Sequence, residues 1–305
     1  MRIRIATRKS ALALWQAEHV AGELRSLPEV TEVDLVPMTT RGDEILDRSL
    51  QQIGGKGLFI KELEVAMQAG TADIAVHSMK DVPAEMPEGF CIAAMLRRAN
   101  PADALLTLDG RKLAELPHAS VVGSSSLRRQ AQLLALRPDL HVKPLRGNVD
   151  TRLRKLAERE YDAIVLACAG LERLGLEKHI SERFDPETML PAAAQGVIGI
   201  ECLEDRHELR ELLTQLEHAE TRQTTIAERA VARRLRATCQ SPVASLASLH
   251  GDDLTLLALV ACADGGRILR EEITGSCADA EALGCEVADR LLARGAGELI
   301  ASELT

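Results

Sequence analysis

Apolar and polar positions along this chain switch repeatedly between the period of a strand and the period of a helix. Residues 2–6 (RIRIA) alternate with period two and predict a strand, and Ser10 is placed to cap a helix running to about Arg25. Residues 32–38 (EVDLVPM) predict a second strand. After a polar, glycine-bearing stretch from Thr40 to Gly57, residues 58–69 carry apolar positions at helical spacing, and Asp73–Val76 opens a buried strand. A βαβαβ succession of this kind favours a doubly wound, mostly parallel sheet.

A second βα series begins near residue 103. Strands are predicted at 120–122, 140–143 and 162–167, with helices at 126–136 and 149–159 between them. The Pro-Ala run at 191–194 reads as a crossover, and 197–202 (VIGIEC) as a strand able to return to the first sheet. The last third changes character. A long helix at 219–236 precedes strands at 243–249, 254–262 and 267–274 and a closing amphipathic helix at 278–294, which suggests a small α+β domain. The expected division is 1–97 with 197–215 as domain 1, 102–192 as domain 2, and 219–305 as a C-terminal domain.

Composition narrows the function classes. The 305 residues, 46% hydrophobic and 27% charged, suit a globular chain of about two or three domains. Only 2% are aromatic and the net charge is −9. Base-stacking platforms and general nucleic-acid binding are therefore disfavoured. The N-terminus has no apolar core of a secretory signal, and no apolar run reaches the roughly 18 residues of a membrane span, so the expected location is cytoplasmic. Seven cysteines in odd number, none spaced C-x-x-C, argue against a disulfide framework or a zinc ribbon. Phosphate-loop, dinucleotide, zincin and serine-hydrolase signatures are also absent.

The candidate chemistry lies at strand-to-helix junctions. GSSSLRRQ (123–130) follows a strand and opens a helix, where free N–H groups and the positive end of the dipole attract anions. Ser126, Arg128 and Arg129 add a hydroxyl and two guanidinium forks; alternatively the segment is a plain cap with two solvated arginines. RGNVDTR (146–152) repeats the arrangement with Arg146 and Arg152, and Gly147 would let backbone approach a ligand. ATRKS (6–10) supplies Arg8 and Ser10. Three such junctions at strand carboxyl ends suggest a ligand with several carboxylates or phosphates. In HSMKDVP (77–83), Asp81 either stabilises a cation or moves a proton, or forms a surface ion pair with Lys80 of little value. His77 reads as a satisfied core histidine. Cys239, in ATCQSPV beside Arg233, Arg234 and Arg236, is the cysteine best placed for chemistry; the others read as small hydrophobes.

Taken in order, ATRKSALALWQ, TTRGD, GGKGLFIKELE, DIAVHSMKDVP, GSSSLRRQAQLL, RGNVDTRL, AAAQGVIGIE and ERAVARRLRATCQSPV resemble the porphobilinogen deaminase (hydroxymethylbilane synthase) family over nearly the whole chain. The resemblance implies a transferase of haem and tetrapyrrole biosynthesis that joins four porphobilinogen molecules and releases four ammonia. It implies two α/β domains like type II periplasmic binding proteins plus a small C-terminal α+β domain, and a monomer binding neither nucleic acid nor membrane. It implies a dipyrromethane cofactor on Cys239 through a thioether and Asp81 as the catalytic carboxylate. Lys80, Ser126, Arg128, Arg129 and Arg152 fall on cofactor positions. Arg8, Ser10, Gln16 and Arg146 fall on substrate positions, and Lys56 lies in the family's mobile loop. Around the cysteine the chain departs from the family pattern at Thr238, Ser241 and Ala244. On residues alone, a two-lobed anion-binding module remains the alternative, needing neither Asp81 nor Cys239. A cysteine-dependent hydrolase would need a histidine base, and the loop offers none.

Overall fold

The computed structural model describes residues 1–40, 60–238 and 240–302. The first sheet has the order β2-β1-β3-β10-β4, made of β1 (Arg2–Arg8), β2 (Glu32–Met38), β3 (Ile74–Ser78), β4 (Phe90–Met95) and β10 (Ile198–Leu203). β1 runs parallel to both β2 and β3, with Ile5 opposite Leu35 and Ile74. β10 enters antiparallel between β3 and β4. The sheet is therefore parallel apart from one inserted strand, as the βαβαβ pattern predicts for the rest.

Helix α1 (Ala11–Arg25) starts where Ser10 accepts a hydrogen bond from the Ala13 amide. Its Val20, Ala21 and Leu24 pack on Ile3, Ile5, Ile74 and Ile200. Helix α2 (Lys61–Gln68) covers the other face, with Leu63 and Met67 against Ala6 and Ala75. Apolar side chains on both faces explain why Ile74–Val76 of β3 reads as a continuous apolar run.

The second sheet, β7-β6-β8-β5-β9, repeats the plan with β5 (Asp103–Thr107) as its inserted antiparallel strand beside β8. The other strands are β6 (Val121–Gly123), β7 (His141–Lys143), β8 (Ala163–Ala167) and β9 (Glu182–Arg183). Helix α3 (Leu127–Leu136) packs one face through Leu133, while α4 (Val149–Ala157) and α5 (Cys168–Arg173) cover the other through Leu156 and Leu171. Two crossovers link the sheets, 96–102 outward and 184–197 on return, and β10 follows the second back into the first sheet. The crossovers press together at Gly196, whose φ is +89° and where a Cβ would lie 2.6 Å from the Ala99 carbonyl oxygen.

Helix α6 (His207–Thr214) then covers the first sheet, and α7 (Ala219–Arg234) leads into the antiparallel sheet β11-β12-β13. Its strands are Val243–His250, Asp253–Ala261 and Ile268–Ser276. Val231 of α7, Val287 and Leu291 of α8 (Ala280–Ala293) and Leu299 of α9 (Ala296–Ser302) pack on Leu254 and Leu256. The opposite face meets the second lobe through Ala131, Leu190 and Leu259. Strands β4, β5 and β9 and helices α5, α6 and α9 go beyond the elements named from the sequence. Each is short or follows a turn without a strong periodic signal.

Candidate functional site

A cavity of about 690 Å³ opens where the two crossovers, the C-terminal ends of β1, β3, β6 and β8, and the end of α7 converge. Eight arginines and Lys80 line it, against Asp81, Glu85 and Asp150. On a chain of net charge −9, this concentration of positive charge marks the cavity as a receptor for a polyanion.

The second lobe supplies the deepest cations. Arg128 and Arg129 occupy the first turn of α3, and both are buried, so they are not solvated cap residues. Arg128 Nη1 donates to the Leu190 carbonyl at 2.7 Å and lies 2.7 Å from Asp103 Oδ2. Arg129 donates through Nη2 to Asp103 Oδ1 at 2.7 Å and through Nη1 to the Val165 carbonyl at 2.9 Å. Two guanidinium groups therefore share one carboxylate. Burial raises the Asp103 carboxyl, but the two arginines overcome it and hold the group well below the usual carboxylate range. Arg129 Nε is buried with no partner among the described residues, which fits a site awaiting an acceptor oxygen.

Gln195 extends this cluster to the first lobe. Its Nε2 donates to Asp103 Oδ1 at 2.9 Å, and its Oε1 accepts from Lys80 Nζ at 3.2 Å. Lys80 and Asp81 sit in a 3₁₀ turn, Met79–Asp81, directly after β3. Burial pushes the Lys80 ammonium down to about 8, with Asp81 opposing and Arg129 reinforcing the shift. Asp81 is exposed to the cavity, in contrast to the buried Asp103.

Arg152 comes from α4 and donates through Nε to the Gly147 carbonyl at 2.8 Å. Burial lowers its guanidinium to about 10, with Arg129 adding repulsion. Gly147 is also fixed by its own backbone and neighbours. Its φ of +104° and a Thr151 methyl 2.7 Å from where a Cβ would stand are what exclude a side chain.

Arg8, Ser10, Lys80, Asp81, Ser126, Arg128, Arg129 and Arg152 all reach the cavity wall. Ser126 precedes α3 but makes no cap bond with its side chain. Gln16 is buried behind the wall, donating to Ser78 Oγ at 2.8 Å, so it supports a lining residue rather than lining the cavity itself. Arg146 adds repulsion to Arg152 but is not among the residues of the wall. Lys56 and Cys239 lie outside the described residues.

The segment on either side of Cys239 is in the wall through Thr238, Gln240 and Ser241. Two of the departures from the family pattern hold this turn together. The Thr238 amide donates to Ser241 Oγ at 3.0 Å, and the Ser241 amide donates to the Thr238 carbonyl at 3.0 Å. The third, Ala244, is buried against the second lobe.

The sequence reading missed Asp103, Arg173, Gln195 and Arg229. Arg229 donates to the Val82 and Pro83 carbonyls at 3.1 and 2.6 Å, so the C-terminal domain grips the segment that follows Asp81. A signal was available, because Arg229, Arg233 and Arg236 recur at helical spacing and all three line the cavity.

The chain is similar to known proteins along nearly its whole length. Residues 3–211 match the family model described as porphobilinogen deaminase, dipyromethane cofactor binding domain, and 222–293 match the porphobilinogen deaminase C-terminal domain. Porphobilinogen deaminase of Xanthomonas axonopodis pv. citri is 55% identical over 299 residues, covering 98% of each chain. The Stenotrophomonas maltophilia protein of the same name is 55% identical over 298 residues, again covering 98% of each. Among solved structures, the methionine binding protein MetQ aligns at 15% identity with a TM-score of 0.44, over 70% of this chain and 89% of that one. With two family domains in sequence and full-length relatives at this identity, the chain belongs to the porphobilinogen deaminase family.

Proposed function

We propose that this chain condenses four molecules of porphobilinogen head to tail into hydroxymethylbilane, releasing four of ammonia, on a dipyrromethane primer held by a thioether to Cys239. The observation that carries this reading is the guanidinium-rich cavity whose wall contains both neighbours of Cys239. The donor set suits the primer. Each pyrrole ring bears an acetate and a propionate, and the walls offer arginine forks together with Arg129 Nε, which has no partner among the described residues. When bound, dipyrromethane supplies a tethered pyrrole with a nucleophilic ring carbon.

Lys80, Ser126, Arg128, Arg129 and Arg152 hold the primer carboxylates in this reading. Arg8, Ser10 and Arg146 take those of the incoming substrate, Gln16 positions Ser78, and Lys56 belongs to the covering segment. Asp81 is the carboxylate free to face the reacting ring. In each round one carbon–nitrogen bond of the substrate breaks, one carbon–carbon bond forms, and one ring proton is released. Asp81 stabilises the positive charge on the substrate methylene as ammonia departs, and holds the released proton. Arg229 fixes the exit of the Asp81 turn and so keeps the carboxylate aimed.

The same reading divides the chain at 1–97 with 197–215, 102–192, and 219–305, and makes it a cytoplasmic monomer free of nucleic acid and membrane. The net charge of −9 supports this setting. Among the described residues, no helix is long and apolar enough to cross a membrane.

Freshly purified protein given porphobilinogen should release ammonia, and its intact mass should exceed that of the polypeptide by two pyrrole units. Cys239→Ser should remove the excess. Asp81→Asn should keep it while slowing turnover by about 10²–10⁴-fold. A bare polypeptide mass on active protein would take Cys239 out of the account, and no ammonia from loaded protein would end it.

A further inference from the structure

Two cysteines far apart in sequence face each other at the end of the first sheet remote from the cavity. Cys91 lies at the start of β4 and Cys202 near the end of β10, directly opposed in antiparallel register. Their Sγ atoms are 3.9 Å apart. Opposed residues of an antiparallel pair have Cα atoms roughly 4.5–5.5 Å apart, within the span a disulfide bridges. Rotation of the two side chains, without movement of the strands, can bring the sulfurs together.

The two thiols differ in the way a reacting pair requires. Cys202 is fully buried in the apolar core beneath α6. Cys91 is half-buried and opens into a surface hollow with His207, Arg210 and Arg222. Arg222 is tied to Glu217 at 2.7 Å, whereas Arg210 acts on the thiol. The hydrogen bond between the two sulfurs is the largest influence on Cys91 and, with Arg210, draws its thiol down against burial and the charges of Glu204 and Glu201. The same bond, together with burial, pushes the Cys202 thiol up.

We propose that Cys91 and Cys202 form a reversible oxidation site that closes to a disulfide when the chain meets hydrogen peroxide. The Cys91 thiolate attacks one peroxide oxygen, the O–O bond breaks, and hydroxide leaves, taking up a proton to become water. This gives a Cys91 sulfenic acid. The Cys202 sulfur then attacks the Cys91 sulfur, an S–S bond forms, the S–O bond breaks, and a second water departs with the Cys202 proton. The two sulfurs lose two electrons in all, and the peroxide gains them. A thiol reductant reverses the step. The site lies outside the deaminase cavity and does not depend on that reading.

The bond would join residues 111 positions apart and enclose the entire second sheet in one covalent loop. An enclosed loop of this length compacts the denatured chain. The intact protein should therefore be treated with hydrogen peroxide, alkylated in denaturant, and examined by peptide mapping and a non-reducing denaturing gel. The expected result is a Cys91–Cys202 cross-linked peptide, a loss of two hydrogens from the intact mass, and a faster band that dithiothreitol abolishes. Cys91→Ser should lose the cross-link and slow the first thiol oxidation by roughly tenfold. Cys202→Ser should leave a Cys91 sulfenic acid that dimedone traps. Should that buried variant not fold, the wild-type map and Cys91→Ser decide the matter. Recovery of both cysteines alkylated while other thiols oxidise, or conversion of Cys91 to sulfinic acid without a cross-link, would overturn the proposal.

Discussion

Two arginine–carboxylate clusters buried among the described residues are built on opposite principles. At the junction of the three lobes, Arg98 meets Glu228 through two parallel hydrogen bonds of 2.6 and 2.8 Å. Glu228 also accepts from the Ala194 and Ala247 amides, and Arg98 Nε donates to the Gln195 carbonyl at 2.9 Å. One cation meets one anion, and every fork atom of that arginine has a partner. In the cavity, Arg128 and Arg129 share Asp103 alone, with Lys80 and Arg152 close by, and one guanidinium nitrogen stays unpartnered among the described residues. Balanced charge clamps the lobes together; excess charge waits for a polyanion. Burial alone does not separate a structural ion pair from a binding site, but local charge balance does.

The largest expected effect breaks the balanced side. Glu228→Gln keeps the shape of the side chain but leaves the Arg98 guanidinium buried without its counter-charge. Removing one partner of a buried pair costs about 3–5 kcal/mol, so the urea unfolding midpoint should fall sharply. The cofactor mass of the fraction that remains folded should not change, because Glu228 does not line the cavity. A midpoint equal to that of the parent protein would show that the pair is not the clamp described here.

A smaller effect probes the excess side through pH. Burial holds the Lys80 ammonium near 8, below its ordinary value of 10.5. Between these values the unfolded chain binds a proton that the folded chain has released, so Lys80 makes stability rise with pH across that window. Its hold on a carboxylate moves the other way and weakens as pH passes about 8. The rate at which primer-free protein takes up its primer should fall by roughly tenfold from about pH 7 to about pH 9, and Lys80→Gln should flatten that fall. An identical profile in the variant would assign the titration to another group.

The same contrast explains what could be read from the chain without its fold. Strand and helix order was legible where elements of the two α/β lobes keep their period, though not at the short β4, β5, β9, α5 and α6, and Arg128 and Arg129 stood out beside three serines after a glycine. Their counter-ion was not legible. Asp103 lies in NPADALL, an ordinary strand opening, and only the insertion of β5 beside β8 carries it under the arginines. Glu228 sits in a helix rich in Glu, Arg and Thr, where nothing local marks it as buried. Cys91 and Cys202 meet only because β10 returns from the second lobe to lie against β4. Local period reveals elements, whereas partners set by a crossover are invisible until the strands are ordered.

Arg234 supplies the smallest expected effect and the sharpest control. From sequence it belonged with Arg233 and Arg236 as positive charge near Cys239. In the fold Arg233 and Arg236 line the cavity, whereas Arg234 projects from α7 toward α8 and pairs with Asp289 at 2.6 Å. Both members of that pair are about half exposed, at 54% and 50%. Water screens such a pair, and holding two long side chains in one geometry offsets most of what remains. Arg234→Ala should therefore leave the unfolding midpoint, the cofactor mass and kcat/KM unchanged within error. If instead the excess mass or kcat/KM dropped, positive charge would be acting on the cavity from outside its wall, and the distinction between balanced and excess clusters would need a longer range than direct contact.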